Sequence, residues 1–367
     1  MTTTFPVQPE ELTNEWLTTA LTNAGVLSAG RSVTDFSVTN VGAGVGLLGL
    51  VVRANLVYDG PGPAPGPESI VIKFATPIEA NRAVAMNTRM YEREVTFFNS
   101  VAPSIDVPMP ACYYAAIDTT TGHNIVALED LKAYRAGDQV DGIGPVEAKL
   151  IIDAIVPLHA AFWGSTDQPL LENQMRIDTS YLHAFLPSVE ATWKNGVAVF
   201  PHAIAPDVLP EVGRYVEALP DVMRLMGKRT QTVVHGDVRL DNVMFGQGPH
   251  QHPVMLIDWQ AVMVSNPAHD MSYMLSQSLH VDVRRAHEQE LIEYYHAGLV
   301  SHGVTGYSLE QCFDDYDVGI LFLFSYPLII GGFCDMESPR AVQLAEAVLS
   351  RSSAAVSDRN LLRRLDG

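Results

Sequence analysis

The chain reads as an α+β protein of two lobes: a small β-rich N-lobe with one long helix, then a larger, mostly helical C-lobe. Three observations predict this. Between Ser32 and Leu128, short runs such as VVRANLVY (51–58) alternate apolar and polar residues, the period of a half-buried strand. Beyond Leu131 the apolar spacing changes to three and four, the period of helices. Only the segment 231–258 returns to strand-like runs.

Taken in order, Pro9–Gly25 sets Leu12, Trp16, Leu17 and Leu21 on one helical face. Ser32–Val41 and Val51–Tyr58 read as strands, joined through the Pro/Gly-rich connector 60–67 to a buried strand, Ser69–Phe74. Glu79–Val101 reads as one long helix, and Ala111–Ile117 and Asn124–Leu128 as two further strands. That makes five strands around one helix. Pro145–Trp163 opens with proline in its first turn and carries Ile151, Ile155, Leu158 and Phe162 as a core stripe. Further helices are expected over 180–194, 206–226, 267–279, 284–302, 308–324 and 338–351. The domains therefore divide as 1–130 and 131–367.

Composition removes several classes of function. Of 367 residues, 47% are apolar, enough for a sizeable core. Forty-two Asp and Glu against 23 Lys and Arg give a net charge of −19, which repels a phosphate backbone, so no nucleic-acid partner is expected. Cys112, Cys312 and Cys334 are far apart and form no C-x-x-C, which argues against a disulfide framework or a zinc site. The first residues lack a basic and an apolar region, so no signal peptide is expected. The apolar run 318–334 is short for a membrane span and is interrupted by Pro327 and Gly331-Gly332. A broken buried helix and a cytoplasmic protein, monomer or homodimer, are expected.

The chemistry concentrates in TVVHGDVRLDNVMF (232–245), followed by Ile257-Asp258-Trp259-Gln260. His235, Asp237 and Asn242 form an H-x-D-x-x-x-x-N array. A hydroxyl attacking a γ-phosphate needs a proton acceptor within hydrogen-bond reach, and Asp237 is the candidate. Magnesium prefers hard oxygen ligands; Asn242 offers an amide oxygen and Asp258 a carboxylate. The flanking strands would bring the loop and Asp258 side by side. His235 completes the catalytic array as the residue that packs and orients the loop. Arg239, two residues after the base, either holds phosphate in a bidentate fork or pairs with Asp241.

Other segments supply the rest of a nucleotide site. Residues 41–50 contain G-x-G-x-x-G at Gly44, Gly46 and Gly49, with strand-like sequence rather than a helix following, so Gly42, Gly44 and Gly46 fit a glycine-rich hairpin over phosphates. Lys73 is the lone charge in an apolar strand and is placed for phosphate contact. Glu94 on the following helix is its expected ion-pair partner. In Leu128-Glu-Asp-Leu131, the Glu129 carbonyl and Leu131 amide would bond a nucleotide base. Asp270 begins a helix, where it would cap that helix and bond the backbone of the 235–242 loop. His250 and His252 read as a solvated turn. Trp163, Trp193, Phe200, Met223, Met226 and Tyr326 are candidates for an acceptor pocket, or ordinary core.

These residues together resemble the aminoglycoside phosphotransferase/choline kinase group, a branch of the protein-kinase-like fold, and within it bacterial members of the ecdysteroid-kinase-like family. The resemblance runs over nearly the whole chain. It is carried by GVGLLGLVVRANLVY, VIKF, ANRAVAMNTRMYEREVTFF, LEDL, HGDVRLDN and IDWQ followed by HDMSY. It implies a bilobal kinase-like fold, ATP, magnesium, a hydroxyl acceptor, and the roles given above for Lys73, Glu94, Asp237, Asn242 and Asp258. Asp258-Trp-Gln stands where protein kinases carry Asp-Phe-Gly, and no A-P-E segment follows, which favours a small-molecule acceptor. An apolar, steroid-like or hydroxyacyl alcohol is favoured; a cationic acceptor of the aminoglycoside or choline type, and a nucleotide-binding module without catalysis, remain open.

Overall fold

The structure is a computed structural model, and it describes residues 5–41, 49–60, 65–249 and 251–365. Two compact units divide the chain. The first comprises Met1–Ser104 and Met109–Ala133; the second comprises Ile105–Pro108 and Tyr134–Gly367.

The first unit opens with helix α1 (Asn14–Asn23), whose N-cap Thr13 accepts a hydrogen bond from the Trp16 amide. Strands β1 (Val33–Asn40), β2 (Gly49–Tyr58) and β3 (Ser69–Ala75) follow. Helices α2 (Glu79–Asn87) and α3 (Met90–Thr96) come next, then β4 (Cys112–Asp118) and β5 (His123–Glu129). The five strands form one antiparallel sheet in the order β1-β2-β3-β5-β4. Period-two alternation builds its core: Val52, Ala54, Ile70, Ile72, Phe74, Ile125 and Ala127 share a buried cluster with Leu17 and Leu21 of α1. The intervening residues of β2, β3 and β5, Lys73 among them, belong to the opposite sheet face.

The single helix expected over 79–101 is interrupted. Arg89 takes a left-handed backbone (φ 54°) between α2 and α3. Thr88 Oγ1 donates back to the carbonyls of Val84 and Ala85, closing α2, while Arg89 pairs with Glu92 across 2.7 Å. Beyond α3 one π-helical turn, Phe97–Val101, buries Phe97, Phe98 and Val101.

The second unit contains a short strand β6 (Arg135–Ala136) and helices α4 (Pro145–Ala161), α5 (Ser180–Val199) and α6 (Val212–Lys228). Four three-residue strands follow: β7 (Thr232–Val234), β8 (Val243–Phe245), β9 (Val254–Leu256) and β10 (Met263–Ser265). Helices α7 (Ala268–Ser278), α8 (Val281–Ser301), α9 (Leu309–Leu323), α10 (Ser325–Gly332) and α11 (Pro339–Asp358) complete it. Strand β7 pairs with β10, and β8 lies between β6 and β9. Every residue of α7 is buried, so the helix forms the centre of the unit.

The apolar run 318–334 breaks at Phe324, not at the glycine pair, which puts Pro327 in the first turn of α10. Gly332 instead permits close packing of α10 on α5, since a Cβ there would sit 2.3 Å from the Thr192 carbonyl oxygen. Among the described residues no helix is long and apolar enough to cross a membrane.

Candidate active site

The loop between β7 and β8 carries His235, Asp237, Arg239 and Asn242, and two short ladders set its ends. Val243 pairs with Leu256, and the Ile257 amide donates to the Asn242 carbonyl at 3.0 Å, so Asn242 stands beside the residue preceding Asp258. The entry turn needs glycine. Gly236 has φ +83°, and a Cβ there would meet the Ala261 carbonyl oxygen at 2.3 Å. Asp258 itself holds a left-handed backbone (φ 66°), a conformation tolerated by aspartate and enriched at functional sites.

Side-chain bonds then fix the loop. Asn242 Nδ2 donates to the Asp237 carbonyl at 3.0 Å and to Asp237 Oδ2 at 2.9 Å. With its nitrogen committed there, the amide presents Oδ1 as its remaining ligand atom. His235 Nδ1 accepts the Asp237 amide at 3.3 Å, which makes Nε2 the donor to the Ile257 carbonyl at 3.0 Å; the ring packs on Trp259, centroids 4.5 Å apart. Gln260 Nε2 donates to Asp258 Oδ2 at 3.1 Å. Beneath the loop, the fully buried Asp270 accepts the His235 amide on Oδ2 and the Gly236 amide on Oδ1, both at 2.8 Å. The cap expected of Asp270 on its own helix is not the role its side chain plays, because Asn266 Oδ1 accepts the Ala268 amide instead.

Arg239 lies between two carboxylates, with Nε 3.6 Å from Asp237 Oδ2 and Nη1 3.3 Å from Asp241 Oδ2. Burial opposes its charge, but Asp237, Tyr273 and Asp241 outweigh that and raise the guanidinium pKa. Burial pushes the Asp237 carboxyl above its ordinary range; Arg239 opposes this and Asp258 adds to it.

In the first unit, Lys73 Nζ and Glu94 Oε1 form the expected ion pair at 2.5 Å, with Glu94 buried. Lys73 stands in register with Val51 and Val126. Glu129 ends β5 half-buried, and Leu131 is buried just beyond it. Gly42, Gly44, Gly46 and His250 lie outside the described residues. Among the acceptor candidates, Phe200, Met223 and Met226 are core residues, each 1% exposed or less.

Three residues that sequence reasoning left without a role support the loop. Gln139, buried in the turn after β6, accepts the Leu240 amide at 2.8 Å. His159 of α4 places Nε2 3.0 Å from Asp270 Oδ2 and Nδ1 2.7 Å from the Tyr295 hydroxyl. Tyr273 of α7 lies within electrostatic reach of Asp237, whose charge helps burial to raise the phenol pKa. Gln139 and His159 sit in no motif, and Tyr273 was visible only as the last letter of HDMSY. Tyr273 also abuts Tyr326 (5.4 Å), whose hydroxyl is 2.8 Å from that of Tyr181, with Phe185 and Phe322 completing an aromatic cluster.

A strand–loop–strand unit with an aspartate, an asparagine and a second aspartate at its turns in one unit, and a sheet with a lysine–glutamate pair in the other, are what a kinase-like small-molecule phosphotransferase carries. Residues 46–304 match the model of the ecdysteroid kinase-like family, and the chain belongs to that family. Solved structures share the fold. A putative aminoglycoside phosphotransferase from Ralstonia eutropha is 16% identical, with TM-score 0.52 and coverage of 93% of this chain and 97% of that one. A microcompartment-associated aminopropanol kinase is 14% identical (TM-score 0.54, 95% and 98% covered). The GDP complex of aminoglycoside 2'-phosphotransferase-IIIa is 14% identical (TM-score 0.52, 93% and 98% covered). A search of curated proteins finds no match.

Proposed function

We propose that this enzyme transfers the γ-phosphate of ATP to the hydroxyl of a small, predominantly apolar alcohol. The observation that carries the reading is the bonding within the 235–258 unit. Asn242 commits its nitrogen to Asp237, which leaves its amide oxygen and the Asp258 carboxylate as hard donors suited to magnesium. When bound there, magnesium would neutralise charge on the β- and γ-phosphates.

Asp237 orients the acceptor hydroxyl and takes its proton as the oxygen–phosphorus bond forms and the bond to the β-phosphate oxygen breaks, with ADP leaving. The raised affinity of Asp237 for protons suits this task, because a base nearer neutrality accepts the proton more readily. Asn242 holds the carboxylate in line through its Nδ2–H, and His235 and Asp270 keep the loop backbone in place. Arg239, already raised in pKa by Asp237 and Asp241, adds positive charge toward the transferred group. Lys73, oriented by Glu94, serves the α- and β-phosphates. The backbone of Gly42, Gly44 and Gly46 would cover them, and the Glu129 carbonyl and Leu131 amide would bond the base.

The aromatic cluster supports the acceptor class. Tyr273 and Tyr326 feel the charge of Asp237, and the charged groups acting most on Tyr273 are the loop's own Asp237 and Arg239. A polycationic acceptor would want further carboxylates there; rings and phenolic hydroxyls suit a neutral alcohol with an apolar body. The test is incubation of the chain with ATP, magnesium and panels of apolar, hydroxyacyl and cationic alcohols. Phosphorylation of an apolar or hydroxyacyl alcohol, lost in Asp237→Ala, is expected. Turnover of the cationic panel alone would replace the acceptor assignment, and full turnover in Asp237→Ala would end the mechanism.

A further inference from the structure

We infer that Asp130, locked by Arg53 and Ser69, is a positioning residue for the nucleotide base; this rests on the reading of Glu129 and Leu131 as the base-bonding groups. The Glu129 carbonyl belongs to the peptide unit before the Asp130 Cα, and the Leu131 N–H to the unit after it. Peptide units are planar, so the relative direction of those two groups depends on the φ and ψ of Asp130 alone. Whatever holds Asp130 therefore sets the angle at which an acceptor and a donor would meet the edge of a base.

Asp130 is held more firmly than a residue just past a strand end requires. Arg53 grips it with two bonds, Nε to Oδ2 at 2.6 Å and Nη2 to Oδ1 at 3.0 Å. Ser69 Oγ adds a third at 2.6 Å to Oδ2, and the Lys132 amide a fourth at 3.1 Å to Oδ1. The carboxylate is 3% exposed and the guanidinium 30%. A pair this withdrawn from water recovers its desolvation only when its geometry is good and its remaining lone pairs are used, as they are here.

Register explains the reach. Arg53 pairs with Val71, and Val71 with Leu128, so Arg53 spans the width of β3 to arrive at the end of β5. Arg53, Val71 and Leu128 alternate with the core-facing residues and so share the sheet face of Lys73. Glu129 is pinned from the other side: its amide donates to the Ala111 carbonyl at 2.8 Å, and its Oε2 accepts the Ala111 amide at 3.2 Å. Residues 129 and 130 are thus clamped from both neighbouring strands. Arg53 also lies on β2, the strand that follows the glycine-rich segment, so one side chain links that strand to the base-bonding turn.

A structural brace and a base-positioning device differ in what they do to ligands that lack a base. The full chain, Asp130→Asn and the milder Ser69→Ala are titrated calorimetrically with ATP, GTP and inorganic tripolyphosphate, each with magnesium. Asp130→Asn is expected to bind ATP about tenfold more weakly, with its preference between ATP and GTP reduced and tripolyphosphate affinity within about twofold of wild type. Ser69→Ala should fall between, and supplies the same readout if Asp130→Asn does not fold. Unchanged ATP affinity in Ser69→Ala and in folded Asp130→Asn, or parallel loss of ATP and tripolyphosphate, would overturn the inference. A wild-type chain that binds none of the three would instead bring down the nucleotide reading beneath it.

Discussion

Replacing Asp270 by Asn changes one atom yet removes the charge that three buried donors share. Asp270 accepts the His235 and Gly236 amides at 2.8 Å and faces His159 Nε2 at 3.0 Å, with no exposed surface. An asparagine keeps one acceptor oxygen and turns an NH2 toward the other donors, so at least one backbone N–H is left buried and unpaired. Hydrogen bonds to a charged group contribute about 1.5–3 kcal/mol each, and an orphaned buried donor costs about 1–3 kcal/mol. The expected loss is therefore about 3–4 kcal/mol, a large share of the roughly 5–15 kcal/mol typical of a folded protein. Urea unfolding at 25 °C measures it, and kcat should fall with it because the loop bearing Asp237 loses its floor. The pH dependence has a definite sign. Burial would raise the Asp270 carboxyl, but its hydrogen bond and attraction to His159 hold it below the ordinary range. A depressed carboxyl stabilises the fold above its unfolded value near about 3.9 and loses that contribution as pH falls through the folded value. The difference between wild type and Asp270→Asn should thus be full near neutrality and shrink below about pH 4. A difference under about 1 kcal/mol at pH 7, with activity intact, would refute the reasoning.

Other substitutions probe neighbouring links. Asp237→Asn should lower kcat by roughly 10²–10⁴, the usual contribution of a positioned general base, while thermal unfolding stays near wild type. Tyr273→Phe removes a hydroxyl whose influence lowers the Asp237 pKa against the burial that raises it, so that pKa should rise and the acid limb of the kcat/KM profile should move to higher pH; an unmoved limb counts against Tyr273 acting on Asp237. Gly236→Ala combines a positive φ with a 2.3 Å approach to the Ala261 carbonyl oxygen, and should cost about 3 kcal/mol in denaturant unfolding.

How much of this could be read from sequence depended on whether the signal was local. Strand β2 declares itself by alternation, while β3 and β5 show as short, nearly continuous apolar runs because they are buried along most of their length. Asp270 could be linked to the 235–242 loop, and Lys73 to Glu94, because ordered motifs imply pairs that lie far apart along the chain. Strands β6 and β10 are two and three residues long, too short to show any period. The break at Arg89 was hidden by apolar spacing that continues through it, and only the back-bonding of Thr88 and the Arg89–Glu92 pair reveal it. Gln139 reaches the loop, and His159 reaches Asp270 beneath it, through topology alone. For Phe200, Met223 and Met226 the letters allowed either an acceptor pocket or ordinary core, and their burial decides for core.

The proposed reaction is direct transfer of the γ-phosphoryl group from ATP to an alcohol oxygen. ATP labelled with ¹⁸O on its γ-phosphate, incubated with the chain, magnesium and the best acceptor of the panel, tests it by mass spectrometry of both products. Direct transfer yields a phosphorylated alcohol carrying the labelled non-bridging oxygens, formed in step with ADP and abolished in Asp237→Ala. Labelled inorganic phosphate released without any phosphorylated acceptor, or ADP formation unaffected by Asp237→Ala, would contradict it.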